Sequence, residues 1–327
     1  MSCSIFHAHW VCIACVSLLE NVPLRADDAA PARAIENPFA AHNAYPWRLY
    51  PSGRFESALA AGLKHIEVDI TYDQSRNAAV VTHDGSPGGK EPELGAFLAP
   101  LWQQWGGSSE SGYTLIVDFK SSSTALAQDV HEILKPNANL LSTMAKAPDG
   151  EFRPSKITVC LTGSRAGHRA YDDQLSTGDF YLAFADLGPE TWQADVSGYV
   201  PSEPPRFVRF LSFPLHVFAD AKGASGPAHV SLERLAETVR LANRAGYRMR
   251  VYTINPGRAA DGTPDMRVWE KCVEAGVHMI ATDAYHLAAD WWARRRDNAN
   301  AEPGGVSRVS TSAERHQRCA GPLHSGG

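Results

Sequence analysis

The sequence predicts an α/β protein with a single-domain (β/α)8 TIM-barrel fold, and two observations support this fold class. About eight short apolar segments of strand composition alternate with helical segments, which is typical of parallel strands joined by crossover helices. Polar residues collect at the carboxyl ends of these strand segments, where the active sites of such barrels lie. A doubly wound open sheet is the alternative, and it is disfavoured because no glycine-rich phosphate fingerprint follows the first strand segment.

Local signals mark the predicted elements in order along the chain. Strand segments are the apolar runs rich in β-branched and aromatic residues, at 39–43, 65–71, 78–82, 113–120, 157–161, 180–185, 207–213, 248–254 and 277–281. Helical periodicity predicts helices at 55–61, 97–105, 123–134, 232–245 and 268–275. Gly62, Gly246 and Gly276 follow three of these helices as C-cap residues, and Ser231 is a predicted N-cap.

Length and composition limit the classes of function. The chain has 327 residues, of which 44% are hydrophobic, enough for one large barrel or for two average domains. Its net charge is −5 and no basic stripe is present, so nucleic acid is not an expected partner. Three of the six cysteines lie in the first 15 residues, and the three that remain, with no zinc-ligand spacing, do not form a disulfide framework.

The N-terminal segment predicts export. Residues 10–19 are an apolar run too short to span a bilayer, and Ala26 ends a small-residue cleavage site, although no lysine or arginine precedes the run. We expect a periplasmic or extracellular protein, or a cytoplasmic one if the leader is not functional. The predicted organisation is a signal peptide at 1–26, a linker at 27–37, the barrel at 38–290 and a polar, disordered tail at 291–327.

Two carboxylates on one strand face form the centre of the predicted site. Glu67 and Asp69 are two residues apart in a strand segment, so both project to the same side. Two acids on one face are unfavourable unless a positive charge lies between them. His42 and His83 bracket this strand along the chain. The alternative interpretation, without a catalytic function, is a solvated strand face flanked by structural histidines.

A further strand end adds Asp118 and Lys120, which share one strand face. Three carboxylates offer hard oxygen ligands, which suit Mg²⁺ or Ca²⁺ better than zinc. The lysine can pair with a carboxylate or with a substrate phosphate. An internal ion pair between Asp118 and Lys120 is the alternative interpretation.

The order of these motifs resembles a known superfamily. His42-Asn43, FESALAAG, IEVDI and VVTHD resemble the phosphodiesterases with a phospholipase C-like barrel, which include glycerophosphodiester phosphodiesterases, phosphatidylinositol-specific phospholipase C and spider-type sphingomyelinase D. LIVDFK, MRVYTIN and VHMIATDA resemble the later strands, so the resemblance covers residues 38–290. It implies a metal-dependent phosphoric diester hydrolase acting on glycerophosphodiesters or phospholipid headgroups. The sequence shows no transmembrane helix, so we expect at most peripheral membrane contact.

The resemblance also implies a role for each site residue. His42 and His83 would be the catalytic acid and base, and Asn43 and Lys120 would bind the substrate phosphate. The ligands of the divalent cation, Mg²⁺ or Ca²⁺, would be Glu67, Asp69 and Asp118.

Two departures from the best-characterised branch affect the expected substrate. Asn43-Ala44 stands where glycerophosphodiester phosphodiesterases have Arg-Gly, and Asp118 stands where they usually have glutamate. His-Asn followed by Tyr45 looks more like the altered inheritance of mitochondria protein 6 family, and Asp118-x-Lys120 is similar to sphingomyelinase D. A catalytically silent barrel that binds phospholipid headgroups or a protein partner is the alternative. A glycosidase is disfavoured because Glu67 and Asp69 share one strand.

Overall fold

The computed structural model describes residues 36–46, 53–189, 191, 193, 195–224, 227–258 and 262–300. The predicted signal peptide, nearly all of the predicted linker and residues 301–327 of the predicted tail lie outside the described residues.

Eight parallel strands close into a barrel, which confirms the predicted fold class. They are β1 (Phe39–Ala41), β2 (His65–Asp73), β3 (Tyr113–Phe119), β4 (Ile157–Gly163), β5 (Phe184–Leu187), β6 (Val208–Pro214), β7 (Arg248–Tyr252) and β8 (Met279–Thr282). The first strand closes the ring because it pairs with both β2 and β8, at Ala40↔His65 and Phe39↔Ile280. Strand residues that alternate towards the barrel axis and towards the helices form one continuous core.

Helices follow seven of the eight strands. They are α1 (Arg54–Ala60), α2 (Leu94–Gly107), α3 (Thr124–Leu134), α4 (Arg165–Asp173), α5 (Leu232–Ala245), α6 (Arg267–Glu274) and α7 (Tyr285–Asn300). In the described part of the β5–β6 connection, the helical structure is one short 3₁₀ turn at Ser197–Tyr199. The last helix continues ten residues beyond position 290, the predicted end of the barrel.

Two predicted strands have a different place in the structure. Residues Ala78–Val81 form a hairpin with β2 and pair with it antiparallel, because four residues are too few for a parallel crossover. The predicted strand at 180–185 is split. Phe180–Tyr181 joins a small sheet with Thr143–Ala145, while the barrel strand begins at Phe184.

The predicted helix ends carry the expected local contacts. Ser231 Oγ accepts a hydrogen bond from the Arg234 amide at the start of α5, and Gly246 ends that helix with a φ of 84°. Cys160 and Cys272 are free and buried, as expected of core residues. Among the helices of the described residues, none combines the length and apolarity needed to cross a membrane.

Candidate active site

A cavity of about 630 Å³ opens at the carboxyl ends of the barrel strands. All seven residues predicted from the sequence to form the site line it: His42, Asn43, Glu67, Asp69, His83, Asp118 and Lys120. They come from the ends of β1, β2 and β3 and from the residues that follow the β2 hairpin. Barrel closure therefore brings together residues spread over almost 80 positions of the sequence, at the end where barrel active sites lie.

Three carboxylates form the floor of this cavity. Asp69 of β2 and Asp118 of β3 are paired in register, and Glu67 lies two residues before Asp69 on the same face. One oxygen from each of the three lies within 4.8 Å of the others, and Glu67 and Asp69 are buried. Burial and the nearby charge of Asp118 raise the pKa of Asp69 to about 7. This group of acids is electrostatically unfavourable without added positive charge.

Lys120 and Tyr45 stabilise the Asp69 carboxylate. Lys120 Nζ lies 2.8 Å from Asp69 Oδ2 and 3.2 Å from Asp118 Oδ2, and the Tyr45 hydroxyl donates to Asp69 Oδ2 at 2.7 Å. Burial lowers the pKa of Lys120, but the charges of Asp118 and Asp69 outweigh burial and raise it overall. Lys120 is therefore a charged ammonium that faces the cavity.

Arg250 is a site residue that the sequence reasoning missed. It lies on β7, is buried, and its Nη2 donates to Glu67 Oε2 in an ion pair across the barrel. Burial raises the pKa of Glu67, but Arg250 and then His42 outweigh burial and lower it overall. The alternation in the segment RMRVY was the available signal, since it places Arg248 and Arg250 on the same face of the strand.

His42 is held at the end of β1 by a network that includes the last strand. Its Nδ1 lies 2.7 Å from Asn43 Nδ2 and 3.5 Å from Asp283 Oδ1, and its Nε2 lies 3.9 Å from Glu67 Oε2. Burial lowers the pKa of His42, but the carboxylates of Glu67 and Asp283 outweigh burial and raise it overall. Arg54 Nη2 donates to Asp283 Oδ1 at 2.7 Å, so the network is anchored to α1.

Asn43 has a local role that the sequence did not indicate. Its φ of 54° lies in the left-handed region, which asparagine adopts more readily than most residues. Its amide nitrogen donates to Asp283 Oδ1 at 3.1 Å, and its amide oxygen lies 3.0 Å from the Tyr45 hydroxyl. The side chain thus connects the His42 network to the carboxylates, while its role as a substrate ligand stays a prediction.

His83 lies at the open side of the cavity. Its side chain is 46% exposed, and its Nε2 is 4.0 Å from Asp69 Oδ2. Burial and the nearby Lys120 lower its pKa, in contrast to the raised pKa of His42. The two histidines therefore approach different carboxylates of the same group and differ in the direction of their pKa shifts.

The three acids fit a divalent cation. Among the described residues, Asp118 Oδ1 is buried and has no hydrogen-bond partner, so the Asp118 carboxylate has an unsatisfied acceptor beside Asp69 and Glu67. An all-carboxylate donor set suits Mg²⁺ or Ca²⁺. When all three carboxylates are ionised, as ligands of a cation would be, their charges and those of Lys120 and Arg250 sum to −1, and a divalent cation would make this sum +1. A positive floor is suited to binding an anionic substrate.

Comparisons with known proteins gave structural neighbours only. No protein-family model matches the sequence, and no curated protein gives a significant match. The solved structures that resemble it include a glycerophosphodiester phosphodiesterase from Agrobacterium tumefaciens, at 14% identity and a TM-score of 0.47 over 78% of this chain and 98% of that one. A Ca²⁺-dependent phosphatidylinositol-specific phospholipase C from Streptomyces antibioticus matches at 12% identity and a TM-score of 0.47, over 77% of this chain and 94% of that one.

Proposed function

We propose that this protein is a metal-dependent phosphoric diester hydrolase that acts on glycerophosphodiesters or phospholipid headgroups. The observation that carries the proposal is the arrangement of two histidines around three clustered carboxylates. His42 Nε2 lies 3.9 Å from Glu67, and His83 Nε2 lies 4.0 Å from Asp69. The resemblance of the sequence motifs to phospholipase C-like phosphodiesterases also supports this class. The altered inheritance of mitochondria protein 6 branch of that class stays a prediction.

The carboxylates of Glu67, Asp69 and Asp118 would hold the cation. When bound, Mg²⁺ or Ca²⁺ stabilises negative charge on the phosphate oxygens in the transition state. Lys120 faces the same space and would neutralise a second phosphate oxygen. A phosphodiester carries one negative charge, which Lys120 and a cation on this floor would neutralise.

The histidines supply the proton transfers. One accepts the proton of the attacking group, which is water or a neighbouring hydroxyl of the substrate, and the other donates a proton to the leaving oxygen. The pKa of His42 is raised and that of His83 is lowered, so His42 is the more readily protonated of the two rings. We therefore assign proton donation to His42 and proton abstraction to His83.

Hydrolysis of bis(p-nitrophenyl) phosphate, with and without EDTA, tests the proposal. His42→Ala and His83→Ala should each lower kcat by about 100- to 10,000-fold, the usual contribution of a general acid or base, while the melting temperature stays near that of the wild type. The matched control is His216→Ala, because His216 is exposed and does not line the cavity. Wild-type turnover in either cavity variant contradicts the proposed roles. Wild-type protein that never cleaves a diester would instead favour a headgroup-binding barrel.

A further inference from the structure

The side of the cavity formed by β4, β5 and β6 carries polar residues that the proposed chemistry does not use. Thr162, Asp186 and Ser212 come from three consecutive barrel strands and all line the cavity. Thr162 is 2% exposed, and its hydroxyl oxygen has no hydrogen-bond partner in the described part of the protein. A buried hydroxyl without a partner is unfavourable, so this wall is suited to a polar ligand.

Asp186 belongs to this wall and not to the metal-binding group. The cluster of mutually close ligand oxygens found among the described residues comprises Glu67, Asp69 and Asp118, without Asp186. Within the same part of the chain, no lysine or arginine nitrogen lies within 4.0 Å of its carboxylate. Burial raises its pKa, and His168 and then Ser212 are the first of the groups that oppose this effect. A partly buried acceptor beside two hydroxyls is a site for groups that donate hydrogen bonds.

We propose that Thr162, Asp186 and Ser212 form the subsite for the alcohol portion of the substrate, and that they select headgroups with hydrogen-bond donors. The shared chemistry is a hydroxyl or primary ammonium a few atoms from the phosphate, as in glycerol, inositol or ethanolamine. This inference rests on the proposed function, because the phosphate must bind on the carboxylate floor next to the subsite.

Choline is the headgroup that this subsite excludes. Its quaternary ammonium has no N–H or O–H to donate, so it would leave the Asp186 carboxylate and the buried Thr162 hydroxyl without partners. Recognition of quaternary ammonium groups relies on cages of aromatic side chains. Among the described residues that line the cavity, the aromatic ones apart from the histidine rings are Phe119 and Tyr252.

A calorimetric binding experiment tests the subsite without requiring catalysis. The ligands are phosphoethanolamine, glycerol 1-phosphate, inositol 1-phosphate and phosphocholine, each titrated into the full chain with Mg²⁺ or Ca²⁺. The wild type should bind at least one of the three protic monoesters about 10- to 100-fold more tightly than phosphocholine, which is the range for a hydrogen bond to a charged group. A preference for phosphoethanolamine identifies the ammonium as the ligand, and a preference for the other two identifies the hydroxyls.

Variants show whether Asp186 causes the preference. The affinity ratio is the affinity for the preferred protic monoester divided by that for phosphocholine, and Asp186→Asn should lower it about tenfold. Any general gain in anion binding from the lost charge affects both ligands and cancels in this ratio. The control Asp290→Asn changes net charge equally at an exposed position on α7 and should keep the ratio. If Asp186→Asn does not fold, Thr162→Val combined with Ser212→Ala should lower the ratio about threefold or more.

The proposal is overturned if phosphocholine binds as tightly as the protic monoesters, if no monoester binds, or if the variants keep the wild-type ratio. Failure of the proposed function is seen separately. Bis(p-nitrophenyl) phosphate carries no headgroup hydroxyl or ammonium, so its hydrolysis reports on the carboxylates and histidines, whereas the monoester ratio reports on the subsite.

Discussion

Gly163 brings the backbone of β4 against the Asp118 carboxylate, and replacing it with alanine tests whether this contact positions a metal ligand. The glycine has a φ of +84°, and a Cβ built on it would lie 2.2 Å from Asp118 Oδ1 and 2.6 Å from the Phe119 carbonyl oxygen. Cβ atoms are essentially never found within 3.0 Å of such neighbours. The carboxylate or the strand must therefore move by about 1 Å, a displacement that can cost about 100-fold in rate.

The expected effect has two parts that a control separates. A left-handed backbone costs a residue with a Cβ about 1–2 kcal/mol of stability. Gly223 has a φ of +83° and no atom within 4 Å of its built Cβ, so Gly223→Ala should lose this stability and keep full activity. Gly163→Ala should lose at least as much stability. Its kcat/KM should also fall about 100-fold, because the Asp118 carboxylate must leave the position that it now holds beside Asp69 and Glu67.

Urea denaturation gives the stability change for both variants. Hydrolysis of bis(p-nitrophenyl) phosphate at several concentrations of Mg²⁺ or Ca²⁺ gives kcat/KM and the apparent metal affinity. Equal rates and metal affinities for Gly163→Ala and Gly223→Ala would refute the reasoning, since the contact with Asp118 would then have no role in placing the ligand.

Three further predictions concern charge. His278 is mostly buried, its Nδ1 accepts the Met249 amide hydrogen, and burial and Arg248 lower its pKa to about 4. The pKa of His278 in the folded protein lies below its unfolded value of 6.5. The neutral ring therefore contributes fully to the stability of the fold above pH 6.5, and this contribution is lost as the pH falls to 4. Urea denaturation at pH 7 and 4.5 measures the loss in the free energy of unfolding between these two pH values, and this loss should be about 2–3 kcal/mol smaller for His278→Asn than for the wild type. An equal loss in the two proteins would exclude this role for His278. Arg250→Met should lower the free energy of unfolding by about 3–5 kcal/mol, because Glu67 would remain buried without its partner; a change below 1 kcal/mol would contradict the buried ion pair. Saturating Mg²⁺ or Ca²⁺ should raise the wild-type melting temperature, and Asp118→Asn should reduce that rise; an undiminished rise would place the cation elsewhere.

The local features of the site were predictable because they follow from the spacing of neighbouring residues. The two-residue periodicity of a strand placed Glu67 and Asp69 on one face, and the polar strand ends placed Asp118 at the same end of the sheet. The sequence predicts the hairpin strand Ala78–Val81 as another barrel strand segment. Its composition matches that of a barrel strand, and only its short connection to β2 makes it antiparallel.

Partners from distant parts of the sequence were not predictable. Arg250 and Glu67 are 183 positions apart, and Asp283, which follows the last strand at the polar end of the barrel, lies 240 positions from its partner Asn43. Their pairing depends on the register of strands that meet when the barrel closes, and no local pattern encodes that register. The polar wall around Asp186 went unrecognised for the same reason, since its members lie on three strands with ordinary compositions.

The sequence by itself determined the barrel class, most of its strands and five of its seven helices, and it identified seven of the residues that line the candidate site, because periodicity and motif order are local properties of the chain. The tertiary structure decided how those residues are charged and held. Closure of β1 against β8 brings Asp283 to His42 and Arg250 to Glu67, and the pairing of β3 with β4 brings the Gly163 backbone to Asp118. Electrostatic energies and close packing depend on distance in space, and the barrel sets that distance.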